Sequence, residues 1–247
     1  MSNSKLVTYK RWSPNYSSRY GNKITHIVIH HMAGCLTVQQ CGAVFASRGR
    51  QASAHYGVRD GQIGQYVDEK YRAWTTSNRY IDRKAVTIEV SNSKRGGNWP
   101  VSDKSLQTTI KLCADICKRN GIKKLNYTGD KKGNLHMHRW YASTACPGPY
   151  LAGKFKYIAQ EVNKLLGASG STSSKSGSTA SSKLLKVGAK IRIKKGACQY
   201  GKSAKFSSFV YERTYKVKSI DGSRVAFMTT DGKTTIGAVS KADCIVQ

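Results

Sequence analysis

The chain of 247 residues is long enough for one large domain or two smaller ones, and for a core that needs no staple. Its formal net charge of +29, from 42 Lys and Arg against 13 Asp and Glu, points to a polyanionic partner and carries no information about fold. Apolar runs of only a few residues argue against a membrane-spanning helix, and seven irregularly spaced cysteines argue against a disulfide framework.

The opening stretch "MSNSKLVTYKRWSPNYSSRY" is basic but lacks the apolar segment of a secretory signal. The expectation is a protein made in a cytosol and exported, if at all, without a signal peptide. Next, "KITHIVIHHM" (23–32) is a β-branched run that predicts a buried strand. "LTVQQCGAVFASRG" (36–49) predicts a helix, with Thr37 as a candidate cap. "SAHYGVRDGQIGQYV" (53–67) predicts a hairpin turning at Asp60-Gly61. "AVTIEVSN" (85–92) is another short apolar strand. "SDKSLQTTIKLCADICKRNG" (102–121) is an amphipathic helix with Leu106, Ile110, Cys113, Ala114 and Cys117 on one face and Gly121 at its C′ position. "NLHMH" (134–138) predicts a short strand. "PYLAGKFKYIAQEVNKLLG" (149–167) predicts a helix opening near Pro149, with Leu151, Phe155, Ile158, Val162 and Leu165 as its buried stripe. Strands alternating with helices imply an α/β domain built on a central mixed sheet flanked by helices.

"GASGSTSSKSGSTASS" (167–182) is nearly all Gly, Ser, Thr and Ala and is read as a flexible linker. It separates residues 1–166 from residues 183–247. Both parts are basic: 27 Lys and Arg against 9 Asp and Glu before the linker, and 14 against 4 after it. In the second part "AKIRIKKG", "FVYERTYKVKSI", "SRVAFMTT" and "KADCIVQ" read as short strands, giving a small all-β barrel.

The chemistry concentrates in "HMHRWYASTACPGPYL" (136–151). His138 closes a short strand, Cys146 follows eight residues later, and Pro147, Gly148 and Pro149 interrupt the backbone at once. His30 ends the run "IVIH". Three N and S ligands at strand ends would suit a catalytic zinc, whereas no paired spacing of the zinc-finger kind is present. The Pro-Gly-Pro break fixes the approach of the thiol and starts the next helix. Strand alternation does not decide between His30 and His31, nor between His136 and His138.

"ITHIVIHHMAG", "SAHYGVRDGQIGQYV", "RAWTTSN", "AVTIEVSN" and "HMHRWYASTACPGPYL" occur in one order over about residues 22–165. In this they resemble the zinc-dependent N-acetylmuramoyl-L-alanine amidases, which include phage endolysins and peptidoglycan recognition proteins. The resemblance implies one Zn²⁺ ligated by His30, His138 and Cys146. It implies that Glu89 is a catalytic base; the competing reading is a structural carboxylate paired with Arg or Lys. It places Thr144, where many phage members carry lysine, as a candidate donor to the oxyanion. Where some members have a catalytic tyrosine before the residue matching His55, this chain has Ala54, so no tyrosine role is carried over, and Tyr56 should face away from His55. Trp74 lines a groove or packs in the core. Residues 183–247, in "KVGAKIRIKKGACQYGK", "FVYERTYKVKSIDGSRV" and "KADCIVQ", resemble a bacterial SH3-like wall-binding domain.

The expected function is therefore peptidoglycan hydrolysis by a phage endolysin made in the host cytoplasm without a signal peptide and acting on the wall after release. Peptidoglycan is the expected partner, and the charge makes anionic wall polymers a candidate second one. A bacterial autolysin of the same chemistry, a non-catalytic muropeptide-binding protein and a cysteine peptidase are the alternatives. No nucleic-acid partner is expected, because no finger or RNP-like aromatic motif accompanies the charge.

Overall fold

The computed structural model describes residues 3–167 and 185–247, which belong to two units, Met1–Thr172 and Ser173–Gln247. The segment read as a linker lies, apart from Gly167, outside the described residues.

In the first unit the order is β1 (Tyr9–Lys10), β2 (Tyr16–Ser18), β3 (His26–His31), α1 (Val38–Phe45), β4 (Tyr56–Arg59), β5 (Gln62–Gln65), β6 (Tyr71–Ala73), α2 (Arg79–Lys84), β7 (Ala85–Val90), α3 (Asp103–Arg119), β8 (Leu135–Met137) and α4 (Gly148–Gly167). Six strands form one mixed sheet in the order β1-β5-β4-β7-β3-β8. Only β4 and β5 pair antiparallel in it, through a turn in which Asp60 and Gly61 both have positive φ (45° and 92°), the signature of a two-residue hairpin loop. β2 and β6 form a separate antiparallel ribbon.

Period-two alternation sorts the sheet's side chains. Ile27 and Ile29 of β3, with Val86, Ile88 and Val90 of β7, join one core with Leu106, Ile110 and Ile116 of α3 and with Leu151, Phe155, Ile158 and Val162 of α4. This explains a carboxylate in the middle of "TIEV": Glu89 alternates with these residues and so leaves their face. The expected stripe of α4 holds except at its end. Leu165 is exposed, and Leu166, one helical turn beyond Val162, packs against the core instead.

Local chemistry fixes the helices. Thr37 Oγ1 accepts from Gln40 N at 3.1 Å, and Gln40 Oε1 accepts from Thr37 N at 2.9 Å, a reciprocal cap worth about 1 kcal/mol. α1 is shorter than its sequence pattern, because the chain leaves the helix at Ala46 for a 3₁₀ turn at Arg48–Arg50. Ser102 caps α3 by accepting from Ser105 N.

Two buried ion-bearing groups tie this scaffold together. Arg19 donates to the carbonyls of Glu69, Asp82, Arg83 and Ala85, and burial lowers its pKa to about 10. It thereby fixes the end of α2 and the entry of β7. Glu69 accepts from the Tyr56 hydroxyl at 2.5 Å and from both terminal nitrogens of Arg119 at 2.7 and 3.0 Å. A buried carboxylate is tolerated when it is paired and hydrogen-bonded in this way.

The second unit contains β9 (Lys190–Ile193), α5 (Ser208–Glu212), β10 (Thr214–Asp221), β11 (Arg224–Met228), β12 (Thr235–Ser240) and β13 (Cys244–Val246). Its strands form one antiparallel sheet in the order β12-β11-β10-β9-β13. Ile191, Ile193, Tyr215, Val217, Val225, Phe227 and Val239 make its core. The expectation of an all-β unit needs one correction. Residues 209–212, read as the start of a strand, are helical in α5, where Val210 turns into the core. β12 had no strand signal of its own, since Val239 is its one fully buried side chain. Among the described residues no helix is long and apolar enough to cross a membrane.

Candidate metal centre

The face of β3 opposite α3 and α4 carries His26, Val28 and His30. β8 lies alongside in parallel, with Val28 opposite His136. Two histidine pairs result: His26 with His136, ring centroids 4.9 Å apart, and His30 with His138, 4.7 Å apart. His138 had been placed at the end of a strand; it instead opens a 3₁₀ turn, His138–Trp140, just past β8.

The chain then loops back to bring in Cys146. Arg139 N donates to Cys146 O at 3.1 Å, and Gly148 N donates to Ala145 O at 2.8 Å, so the backbone on both sides of the cysteine is held. Gly148 has φ +80°, and a Cβ there would press on the His31 ring and on Trp99. Cys146 Sγ lies 3.5 Å from His30 Nδ1. The ligand atoms of His30, His138 and Cys146 all fall within 4.8 Å of one another.

The rival histidines are engaged elsewhere. His136 Nε2 meets Gly133 O at 2.9 Å, and its Nδ1 meets the Tyr141 hydroxyl at 2.7 Å. His31 packs edge-on against Trp99. His30 Nε2, His138 Nε2 and Glu89 Oε2 are buried without a hydrogen-bond partner, as is His31 Nδ1 behind the Trp99 contact. Buried polar atoms are seldom left so, and a cluster of them marks a place for a missing group.

The electrostatics favour a cation. Burial, then His138 and His31, hold the His30 pKa well below its usual value, and burial lowers His138 too, so both imidazoles are neutral lone-pair donors. Burial and then the nearby Glu89 push the Cys146 thiol upward. Two nitrogens and one sulfur gathered within 4.8 Å suit a borderline-soft ion such as zinc, which would offset the cost of ionising the thiol. The residues present therefore fit the metal.

Glu89 stands beside this cluster. On adjacent parallel strands it is the register partner of His30, with Oε1 4.0 Å from His30 Nδ1. Burial raises its pKa to about 8, and Arg50 pulls it back. Among the described residues no Lys or Arg lies within ion-pair distance of it. Thr144 is exposed on the loop before Cys146, and its Oγ1 accepts from Cys146 N at 3.2 Å.

All five residues line one cleft of about 270 Å³, together with Arg50, Phe45 and Trp74. Trp74 is on the groove wall rather than in the core, with its Nε1 donating to Ser17 Oγ at 3.1 Å. A second cleft of about 600 Å³ shares Trp74, Thr75 and His138 with the first and adds Arg72 and Arg79. Tyr56 faces away into the α3–α4 core, as alternation predicts, while His55 is buried against Arg19 and Thr87. Arg50 was not anticipated: one cation among 27 in the first part of the sequence carries no distinguishing mark.

The family described as N-acetylmuramoyl-L-alanine amidase (Amidase_2) matches residues 20–149, more than half of the chain. The chain belongs to this amidase family. Over 121 residues it is 32% identical to N-acetylmuramoyl-L-alanine amidase A of Achromobacter lyticus, covering 45% of this chain and 63% of that protein. Over 153 residues it is 26% identical to endolysin PlyTW of Staphylococcus phage Twort, covering 59% of this chain and 31% of that endolysin. The matches thus span less than two thirds of either relative. The first unit also has the fold of the PlyG catalytic domain, with a TM-score of 0.52 at 20% identity over 67% of this chain and 98% of that domain. The amidase-family match ends at Pro149, so it contains the clustered His30, His138 and Cys146 together with Glu89 and Thr144, and none of the second unit.

Proposed function

We propose that the first unit is a zinc-dependent amidase that cuts the bond between the lactyl group of N-acetylmuramic acid and L-alanine of the stem peptide, and that the chain acts on bacterial peptidoglycan as a phage endolysin. The observation that carries this reading is the convergence of His30, His138 and Cys146 within 4.8 Å in a cleft that also holds Glu89, on a chain of the amidase family.

His30, His138 and Cys146 would hold the ion, three protein ligands being the usual number for a catalytic zinc. When bound, zinc supplies Lewis acidity, polarising a carbonyl and lowering the pKa of water. Glu89 accepts the proton of the attacking water and returns it to the departing amine of L-alanine. Its unpartnered Oε2 is free for that exchange. Thr144 takes the Cys146 N–H on its oxygen, which directs its own hydroxyl proton outward to the substrate oxygen that gains charge. Arg50, on the same wall, adds positive charge where Thr144 brings none.

In this reading residues 1–166 are the catalytic domain, 167–182 a linker, and 183–247 an SH3-like wall-binding domain. Support for the last comes from its small antiparallel sheet and its basic surface, which also favours anionic wall polymers as partners. Metal analysis of the purified protein, with mass spectrometry of wall digests, tests the proposal. One zinc per chain and new L-alanine amino termini are expected. A metal-free active protein, or cleavage elsewhere in the polymer, would refute it.

A further inference from the structure

The ribbon of β2 and β6 has two faces. Ser17 and Arg72 are register partners on one of them, and Ser17 Oγ accepts from both Arg72 Nε and Trp74 Nε1. Arg72 and Trp74 line the larger cleft beside the metal centre. Tyr16, Ser18, Tyr71 and Ala73 occupy the other face by alternation. There Tyr16 stacks on Tyr71, with ring centroids 4.5 Å apart and planes inclined by 31°, so Tyr71 backs the exposed Tyr16 ring rather than extending it sideways. With Trp12, Asp68 and Lys70 they line a pocket of about 330 Å³.

Trp12 is 53% exposed and Tyr16 is 43% exposed, although each ring could bury a large apolar area. Asp68 Oδ1 accepts from Lys70 N, which leaves the other carboxylate oxygen to a ligand. Lys70 Nζ sits 5.0 Å from the Tyr71 ring centroid. Flat rings edged by one acceptor and one donor match a pyranose, whose faces are C–H and whose rim is hydroxyl and amide. They match nucleic acid less well, because Asp68 sets a negative charge beside the rings.

We propose that Trp12, Tyr16 and Tyr71 form a second binding site for a saccharide chain, the glycan strand of the polymer whose amide the metal centre cuts. The proposal rests on the peptidoglycan reading for the identity of the polymer, but not for the chemistry of the site. The ribbon links the two places: one face borders the amide-cutting groove, and the other grips sugar rings of the same strand. The enzyme is thereby held by its catalytic unit as well as by its second unit.

The test is calorimetric titration of the full chain with a β-1,4-linked hexamer of N-acetylglucosamine, which has no stem peptide. One hexamer should bind per chain. Trp12→Ala and Tyr16→Ala should each weaken binding by about tenfold or more, the loss of one stacked ring, while Trp12→Phe should stay within about threefold of wild type. Thermal melts identify any variant that has failed to fold, and Trp12→Phe keeps the test open in that case. The indole N–H signal of Trp12 should shift on titration. Absence of binding, equal binding by Trp12→Ala, or shifts confined to Trp74 would overturn the proposal. Displacement of the hexamer from Trp12 by oligo-dT would overturn it in favour of a nucleic-acid platform. A wild-type protein that binds the hexamer but cuts no muropeptide would sink the amidase reading and leave this one standing.

Discussion

His30 and Glu89 are register partners on adjacent parallel strands, and their side chains meet at 4.0 Å on the sheet face away from α3 and α4. The proposed metal ligand and the proposed base are thereby set by one backbone register rather than by loops. A shift of one residue would send either of them into the apolar core. The other two proposed ligands, His138 and Cys146, arrive from a 3₁₀ turn and a braced loop.

Glu89→Gln should keep the fold and the metal and lose most of the rate. The amide has the shape of the carboxylate but does not accept the proton, and loss of a general base costs roughly 10²–10⁴-fold. The check is turnover of a soluble muropeptide by zinc-loaded protein. Turnover near that of wild type would assign Glu89 a structural role.

Cys146→Ser should lose zinc and lytic activity together, since a hard oxygen replaces the soft sulfur 3.5 Å from His30 Nδ1. Elemental analysis and a turbidity assay on the same preparation read both. Full zinc occupancy with full lysis would remove Cys146 from the site.

Acid should destabilise the first unit through its buried neutral histidines, with Glu89, whose pKa is raised to about 8, opposing part of the trend. Burial, then His136 and Lys84, lower the His26 pKa to about 4, and His55 is held well below its usual value by burial and then Arg19. Both pKa values are lower folded than unfolded, so below about pH 6.5 the unfolded chain binds more protons and stability falls. For His26 the contribution is complete above about pH 6.5 and is lost as pH drops through about 4. Melting temperatures between pH 7 and pH 4.5 should fall; a flat or rising series would contradict the buried neutral state.

The sequence already contained most of this site. "TIEV" displays the alternation that turns Glu89 away from the core, "IVIHH" puts two histidines at the end of an apolar strand, and "CPGPY" marks a forced break before a helix. The choice of His30 over His31 rests on the family resemblance, because a single strand's period does not say which face is covered. His138 over His136 depended on Gly133 and Tyr141 occupying the latter. Short elements such as β1, β2 and β6 had too few residues to show a period, and the ribbon that two of them form was invisible for that reason. Arg50 is defined by its place on the cleft wall, and α5 by the inward turn of Val210; neither leaves a local pattern.

A protein truncated after Leu166 should cut soluble muropeptide at the full-length rate, because every residue of the metal centre precedes that point. On intact walls it should be weaker without being inactive, since the lost domain raises effective concentration and residues 1–166 remain basic. Wall pull-down of both forms should decline as salt rises, exposed charges being screened beyond about 8 Å at physiological ionic strength. Salt-insensitive binding, or a truncated form inactive on soluble substrate, would contradict this division of labour.

The most direct test of the central claim is mass spectrometry of peptidoglycan digested by the purified protein, run with chelator and again after zinc is restored. The account predicts stem peptides with a free L-alanine amino terminus and glycan strands with an intact free lactyl carboxylate. These products should vanish with chelator and return with zinc. Products cut at a glycosidic bond or within the stem peptide, or a digest indifferent to chelator, would contradict it.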